Sequence, residues 1–267
     1  MHPILFEING FEIHSYGFMG AMGFLFTAFS VIYRGRKLGI KSEKMTDLIF
    51  WSAIISLIGA RVVFLVQNPG VFTTWQEWLN PRTGGLVFYG SVLFGVPFGS
   101  LLIRRFKMPF FATWDIFAAA FPIAHGLSRL GCFLAGCCYG AHYTGPTAVV
   151  FTDPRSAAPL NTPMHPTQLY EAFFLFALGI AVNILYRYKR FHGQVMLVYL
   201  VCYAIGRSVI EEFRGDASRG YFMPDLIGEV LTYSQGFSIV MALGAIAFFG
   251  VYARRSPANQ IKGPLAE

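Results

Sequence analysis

Long apolar runs, most of them closed by a short basic cluster, set the pattern of this chain. A helix needs roughly 20 apolar residues to cross a hydrocarbon layer of about 30 Å. Seven runs of about that length are predicted to be helices, at about 16–33, 46–66, 86–103, 110–128, 166–186, 194–212 and 227–252. Ahead of the first, residues 3–15 alternate apolar and polar positions around Asn9-Gly10, the dipeptide of a two-residue hairpin turn. They predict a small amphipathic arm on the membrane surface. Between runs, residues 67–85 form a loop whose Trp75 and Trp78 suit an interface belt. Residues 139–164 are polar and proline-rich, with a short strand expected at 147–151, and 213–225 form a further loop. The polar tail 256–267 is expected to be disordered. The fold class is an all-α polytopic membrane protein with about seven transmembrane helices, an N-terminal amphipathic arm (1–15), one transmembrane domain (16–252) and a tail (253–267).

Composition sharpens this. Of 267 residues, 55% are hydrophobic and 13% charged, against about 25% charged in soluble domains. The net charge of +7 would suit nucleic acid if it formed one patch. It does not. Of 21 Lys and Arg, 14 fall at alternate ends of the runs, five at the opposite ends, and Arg61 and Arg207 lie inside runs. That bias is the positive-inside pattern and places the N-terminus outside and the C-terminus inside. No cleavable signal peptide is expected, because no basic region precedes the first run. No internal repeat is visible.

Residues 124–140, AHGLSRLGCFLAGCCYG, carry the clearest chemical signal. Arg129 sits in a run otherwise apolar or small. An uncompensated cation inside a membrane costs about 3 kcal/mol or more, so a compensating anionic ligand is one reading, with Gly131, Gly136 and Gly140 allowing close approach. The other is a snorkelling arginine beside glycines that pack helices. Tyr203, Arg207, Glu211 and Arg214, spaced i, i+4, i+8 and i+11, share one helical face. Glu211 can hold Arg207 and leave its remaining donors to a phosphate; a neutral pair that only fixes packing is the alternative. His165-Pro166-Thr167-Gln168-Leu169-Tyr170-Glu171 opens the fifth run, with Gln168 and Glu171 to one side, either as site residues or as ordinary capping and anchoring. Gly84-Gly85-Leu86-Val87-Phe88-Tyr89-Gly90 opens the third, and Tyr89 is a site hydroxyl or an interfacial anchor. Cys132, Cys137 and Cys138 read either as a thiol or metal site or, in preference, as small buried residues, since no matching His or Cys cluster completes a tetrahedral site. No metal and no cofactor is expected.

These blocks, in this order, together with Tyr16-Gly17 and Ser128-Arg129-Leu130-Gly131, resemble the bacterial prolipoprotein diacylglyceryl transferase family over nearly the whole chain. The resemblance implies transfer of diacylglycerol from phosphatidylglycerol to the lipobox cysteine of a prolipoprotein, with a thioether formed and glycerol phosphate released. It implies that Arg129 and Arg207 engage the phosphate, with Tyr89 and Glu211 also catalytic. Tyr16, Tyr203, Gly131, Gly140, His165, Gln168, Glu171 and Arg214 are then expected to bind the lipid. Partners are phosphatidylglycerol, prolipoprotein signal peptides and membrane lipids, with no nucleic acid, and the enzyme is expected to be a monomer. It belongs in the bacterial inner membrane, with segment 139–164 and the N-terminal arm periplasmic and the tail cytoplasmic. The sequence departs from the family pattern at Ser128, Cys132, Ala135 and Cys137, where Gly, Asn, Asn and Glu are usual, and at Tyr89, where well-studied members carry histidine.

Two guanidiniums can clamp a phosphodiester bidentately and stabilise charge on the departing glycerol phosphate. The nucleophile is the substrate's thiol, so no cysteine of the enzyme is required; Tyr89, His165 and Glu171 are candidates to assist its proton. Two other classes fit the bare residues: a lipid or anion transporter using the arginines for passage, and a membrane thiol oxidoreductase using Cys132, Cys137 and Cys138.

Overall fold

A computed structural model describes residues 2–8, 10–71, 74–79, 85–215 and 232–252. Within them lie helices α1 (Ser15–Lys37), α2 (Ser42–Gln67), α3 (Trp75–Leu79), α4 (Phe88–Arg105), α5 (Phe110–Ala135), α6 (Thr167–Tyr188), α7 (Gln194–Glu211) and α8 (Tyr233–Tyr252), with strand pairs β1 (Ile4–Ile8) with β2 (Phe11–His14) and β3 (Val149–Val150) with β4 (Pro163–Met164). All helices but α3 match the seven predicted runs in order. Five of them, α1, α2, α5, α6 and α7, are long and apolar enough to cross a membrane. Large apolar side chains such as Phe29, Val66 and Phe173 are more than 70% exposed. A soluble protein avoids that across several helices, whereas lipid accommodates it. The chain is an all-α polytopic membrane protein. Asn9, Arg82, Gly84, most of loop 213–225, the first residues of the seventh run, Arg254, Arg255 and the tail lie outside the described residues.

The chain divides into two units. One holds residues 31–113. Here α2 and α4 pack at glycine contacts: a Cβ on Gly59 would lie 2.5 Å from the Gly90 carbonyl oxygen and Phe94 Cβ, and one on Gly90 would strike Gly59. Arg61, the arginine inside the second run, reaches the segment before α4. It donates to the carbonyls of Trp78 at 2.8 Å, Glu77 at 2.5 Å and Gly85 at 3.2 Å. It is therefore satisfied by the carbonyls of α3 and of Gly85. Lys44 donates to the Phe106 carbonyl at 2.9 Å, just past the end of α4.

The other unit holds residues 1–30 and 114–267. Its hairpin turns where Ile8 pairs with Phe11, and Gly10 takes the positive φ of +79° that such a turn requires. The strand expected at 147–151 forms at its centre as β3, and the adjoining Phe151 is fully buried with Ala158 and Met164. A second core joins α5, α6 and α7 through Ala118, Ala119, Leu178, Val182, Val195 and Tyr199. At its edge Lys189 meets Asp115 at 2.8 Å with both side chains fully buried. Asp115 also accepts the backbone N–H of Gly193 at 2.7 Å and of Met196 at 3.0 Å. A carboxylate from α5 thus holds the N-terminus of α7, where the helix dipole favours negative charge. Burial pulls the Lys189 ammonium below its usual range against the opposing pull of Asp115. Lys189, one of the basic residues that follow the fifth run in sequence, is thus part of a buried ion pair.

One boundary differs in a way that matters. The fourth run was placed at about 110–128, with Arg129 at its outer end, but α5 continues to Ala135 and Arg129 lies inside it. Leu130, Cys132, Phe133 and Leu134 are all compatible with a helix, and one glycine at 131 does not end one. The stop comes at Gly136, whose φ is +75°. Its N–H bonds to the Phe133 carbonyl at 3.3 Å and that of Cys137 to the Cys132 carbonyl at 3.1 Å, the paired bonds of a Schellman cap.

Candidate functional site

Three helices and one loop bring most of the expected residues together. Arg129 comes from α5, Glu171 from the first turns of α6, and Arg207 and Glu211 from the last turns of α7. Arg129 Nε lies 3.1 Å from Glu171 Oε1, and Arg207 Nη2 lies 2.5 Å from Glu211 Oε2. Arg214, just past α7, approaches the same Glu211 oxygen at 3.9 Å. The Arg207 and Glu211 side chains are 5% and 2% exposed, so their charges are strongly coupled through a poorly screening medium. Glu171 is within electrostatic reach of Arg129, His125, Arg207 and Arg214 together. Three guanidiniums therefore share one cluster with two carboxylates, an excess of one positive charge. Arg207 Nη1 is buried and has no hydrogen-bond partner among the described residues. A donor so placed suits an anionic oxygen.

The loop after α5 is tied to the end of α7. Gly140 donates to the His165 carbonyl at 3.1 Å and pairs with Arg214 across a β-bridge; Ala141 donates to the Phe213 carbonyl at 2.9 Å and Gly215 to that of Tyr139 at 3.2 Å. A Cβ on Gly140 would run into the His165 carbonyl and lie 2.9 Å from that of Phe213. Gly140 is needed for close backbone approach, which aligns Arg214. Gly131 has a similar role against α1: a Cβ there would lie 3.0 Å from Met19 Cβ and 3.2 Å from Tyr16 Cα.

The motif at 165–171 divides into parts. Gln168 donates to the Cys137 carbonyl at 2.8 Å and Thr167 to that of Cys138 at 3.0 Å, so both brace the loop. His165 stacks on Tyr143 with ring centroids 3.8 Å apart, and its Nδ1 lies 3.3 Å from the Tyr170 hydroxyl. Glu171 alone of the motif pairs with the arginine. Tyr16, half-exposed, is within electrostatic reach of Arg129 and the three cysteines. Tyr203 lies with its ring centroid 5.6 Å from that of His125 and 5.9 Å from that of Tyr199. Tyr89, the second residue of α4, belongs to the other unit, where the Phe88 ring is edge-on at 6.1 Å.

His125 is the residue missed. It lies one turn before Arg129 on α5, with Nε2 3.8 Å from Glu171 Oε1. The i, i+4 spacing of His125 and Arg129 was the available signal. Cys132, Cys137 and Cys138 are free thiols whose sulfurs lie within 4.8 Å of one another. The Cys137 thiol donates to the Cys132 carbonyl at 3.8 Å; the neighbouring Cys132 and Cys137 thiols, and then the Arg129 and Arg214 guanidiniums, pull the Cys138 thiol well below its ordinary range, and the same crowding pushes Cys137 up.

Comparison with known proteins gives the family. A family model described as prolipoprotein diacylglyceryl transferase matches residues 3–251. Phosphatidylglycerol–prolipoprotein diacylglyceryl transferase 2 of Clostridium perfringens is 29% identical over 270 residues, covering 98% of this chain and 97% of its own. The enzyme of Clostridium tetani is 31% identical over 251 residues, covering 94% and 98%, and that of Thermotoga maritima 27% over 258, covering 95% and 86%. With arginine and carboxylate pairs contributed by α5, α6 and α7 and a family match running almost end to end, the chain belongs to the prolipoprotein diacylglyceryl transferase family.

Proposed function

We propose that this protein transfers the diacylglyceryl group of phosphatidylglycerol to the cysteine thiol of a prolipoprotein lipobox, forming a thioether and releasing glycerol phosphate. The observation that carries the site assignment is the cluster of three arginines against two glutamates. Its surplus of one positive charge matches a phosphodiester, which is a monoanion at any physiological pH. Glu171 and Glu211 orient Arg129 and Arg207, and the donors they leave over, Arg207 Nη1 among them, bind the phosphate oxygens. The same donors stabilise the charge that grows as glycerol phosphate departs. Arg214 adds long-range charge, and Tyr16 and Tyr203 line the approach. Gly131, Gly140, Gln168 and His165 shape the binding site through the backbone and ring contacts above. Glu171 is occupied by Arg129 and His125, which leaves positioning as its role in preference to that of a base. The family match supports transfer over passage of an anion or thiol oxidation.

The setting proposed is the bacterial inner membrane, with the hairpin and segment 139–164 facing the periplasm, the C-terminus in the cytoplasm, and the enzyme a monomer. The basic last turns of α1, α4 and α6 support that orientation. Purified enzyme given phosphatidylglycerol and a lipobox peptide should release glycerol phosphate only when both are present and the peptide keeps its cysteine. Release that ignores the peptide's cysteine would show a phospholipase instead.

A further inference from the structure

The arginine cluster does not use the three cysteines that follow it. Yet the fold collects them. Cys132 is buried in the last turn of α5, Cys137 and Cys138 follow the helix end, and all three Sγ atoms lie within 4.8 Å of one another. The backbone that carries them is pinned. The Schellman bond ties Cys137 to Cys132, and the side chains of Gln168 and Thr167 hold the carbonyls of Cys137 and Cys138. Cys138 itself sits at φ 59°, a conformation that non-glycine residues hold only where surroundings enforce it. Three thiols spaced i, i+5 and i+6 thus converge on one point.

We propose that Cys132, Cys137 and Cys138 form a three-thiolate site for a soft d10 cation, with zinc as the fitting ion, beside the arginine cluster. Thiolates select such ions. Zinc–sulfur bonds of about 2.3 Å in a tetrahedron set the sulfurs about 3.8 Å apart, so side-chain rotations closing about 1 Å complete the cup. Three thiolates and Zn²⁺ together carry one negative charge, and Arg129 and Arg214 are within electrostatic reach of Cys138. The cup is complementary to its neighbours. Three protein ligands leave one of zinc's four positions open, as in catalytic zinc sites.

This rests on the transferase reading for its second step: the open position takes the lipobox cysteine thiol. Coordination deprotonates that thiol outright, and its proton passes to water. The thiolate sulfur attacks the glyceryl carbon. The S–C bond forms as the C–O bond to phosphate breaks, and the C–O electron pair leaves with glycerol phosphate. No oxidant or reductant is needed. The site supplies the thiolate without a separate base, while Glu171 stays paired with Arg129.

The test uses the full-length enzyme in detergent. Metal analysis should find one zinc per chain, and exchange with Co²⁺ should give a thiolate-to-cobalt charge-transfer band. Both should vanish in Cys132→Ala and in Cys137→Ser, judged on variants that elute as monodisperse protein, and persist in Cys202→Ser. Chelator-stripped enzyme should lose up to about thirtyfold in transfer at pH 7, the shortfall in ionisation of a thiol of pKa ~8.5, with the loss recovered at higher pH or by added Zn²⁺. A monodisperse wild type that shows no cobalt–thiolate band, or that carries a disulfide among these cysteines when freshly purified, would overturn the metal site. Cobalt bound with an unchanged pH profile of transfer would overturn thiol activation. Zinc bound by a protein that transfers nothing from phosphatidylglycerol would instead sink the transferase reading and leave the cation site standing.

Discussion

A guanidinium differs from an ammonium in shape more than in charge, and the two arginines test that difference. Arg129→Lys and Arg207→Lys keep the positive charge but lose the planar fork that grips a phosphate and a carboxylate together. Each should lower kcat about ten- to a hundredfold, the worth of one charge-assisted hydrogen bond of roughly 1.5–3 kcal/mol acting in the transition state. Alanine should be worse at both sites, and the double alanine variant little worse than either single, because groups acting as a unit are non-additive. Glycerol phosphate release, normalised to folded enzyme, reads this out. Wild-type transfer by either alanine variant would leave Arg129 and Arg207 with a packing role only. Both arginines were legible in the sequence because a cation in an apolar run demands a reason, and Glu211 was legible because helical spacing puts it on the face of Arg207; Arg214, expected on the same face, lies past the helix end, where the bridge to Gly140 places it. The i, i+4 spacing of His125 to Arg129 was a signal left unread, but the contacts of Arg129 and His125 with Glu171 were not legible. Those contacts run between helices, and spacing along one helix says nothing of which partner lies across from it. The convergence of Cys132 with Cys137 and Cys138 was hidden for another reason: it depends on the left-handed turn at Gly136, which folds the chain back on the helix end.

Helices set these residues only as well as they pack, and glycine decides how closely two of them approach. Gly59 and Gly90 face each other between α2 and α4, and a Cβ on Gly90 would strike the Gly59 backbone. Gly90→Ala should therefore destabilise the protein by about 1–3 kcal/mol, the usual range for overpacking. Gly20, in α1, has nothing within 4 Å of an added Cβ, and Gly20→Ala should be neutral or stabilising by up to about 1 kcal/mol. Thermal unfolding in detergent, followed for both variants, separates the two cases; equal behaviour would mean that α2 and α4 do not meet at these glycines. Sequence placed Gly90 in a block of possible site residues, and packing explains it without any contact with substrate. The element boundaries follow the same division. The starts and ends that depend on proline or a basic cluster were legible to within a few residues, as at α4 and α6. The end of α5 was not, because an arginine and a glycine look like a helix end, yet α5 runs on to Ala135 and the cap lies at Gly136.

Across the whole molecule, the seven runs emerged as helices in order, and five of them are long and apolar enough to cross a membrane. The division of the chain into residues 31–113 and the rest was not legible, since no linker or composition shift marks it. Orientation rests on charge. Basic residues close α1 (Arg34, Arg36 and Lys37), α4 (Arg104 and Arg105) and α6 (Arg187), helices that run the same way in a seven-span path. Lys189 departs from this set because Asp115 neutralises it, but the ends of α1 and α4 keep their full bias. Reporter fusions after Lys44, Arg105, Arg190 and Arg255 should all show the cytoplasmic signature, fluorescent with green fluorescent protein and inactive with alkaline phosphatase. Fusions at Arg105 and Arg190 are the demanding ones, because the first must follow three crossings and the second five. An active phosphatase at either would break the seven-span path. It would place the end of α4 or α6, and with it the orientation of the arginine cluster, on the opposite side of the membrane from the one proposed.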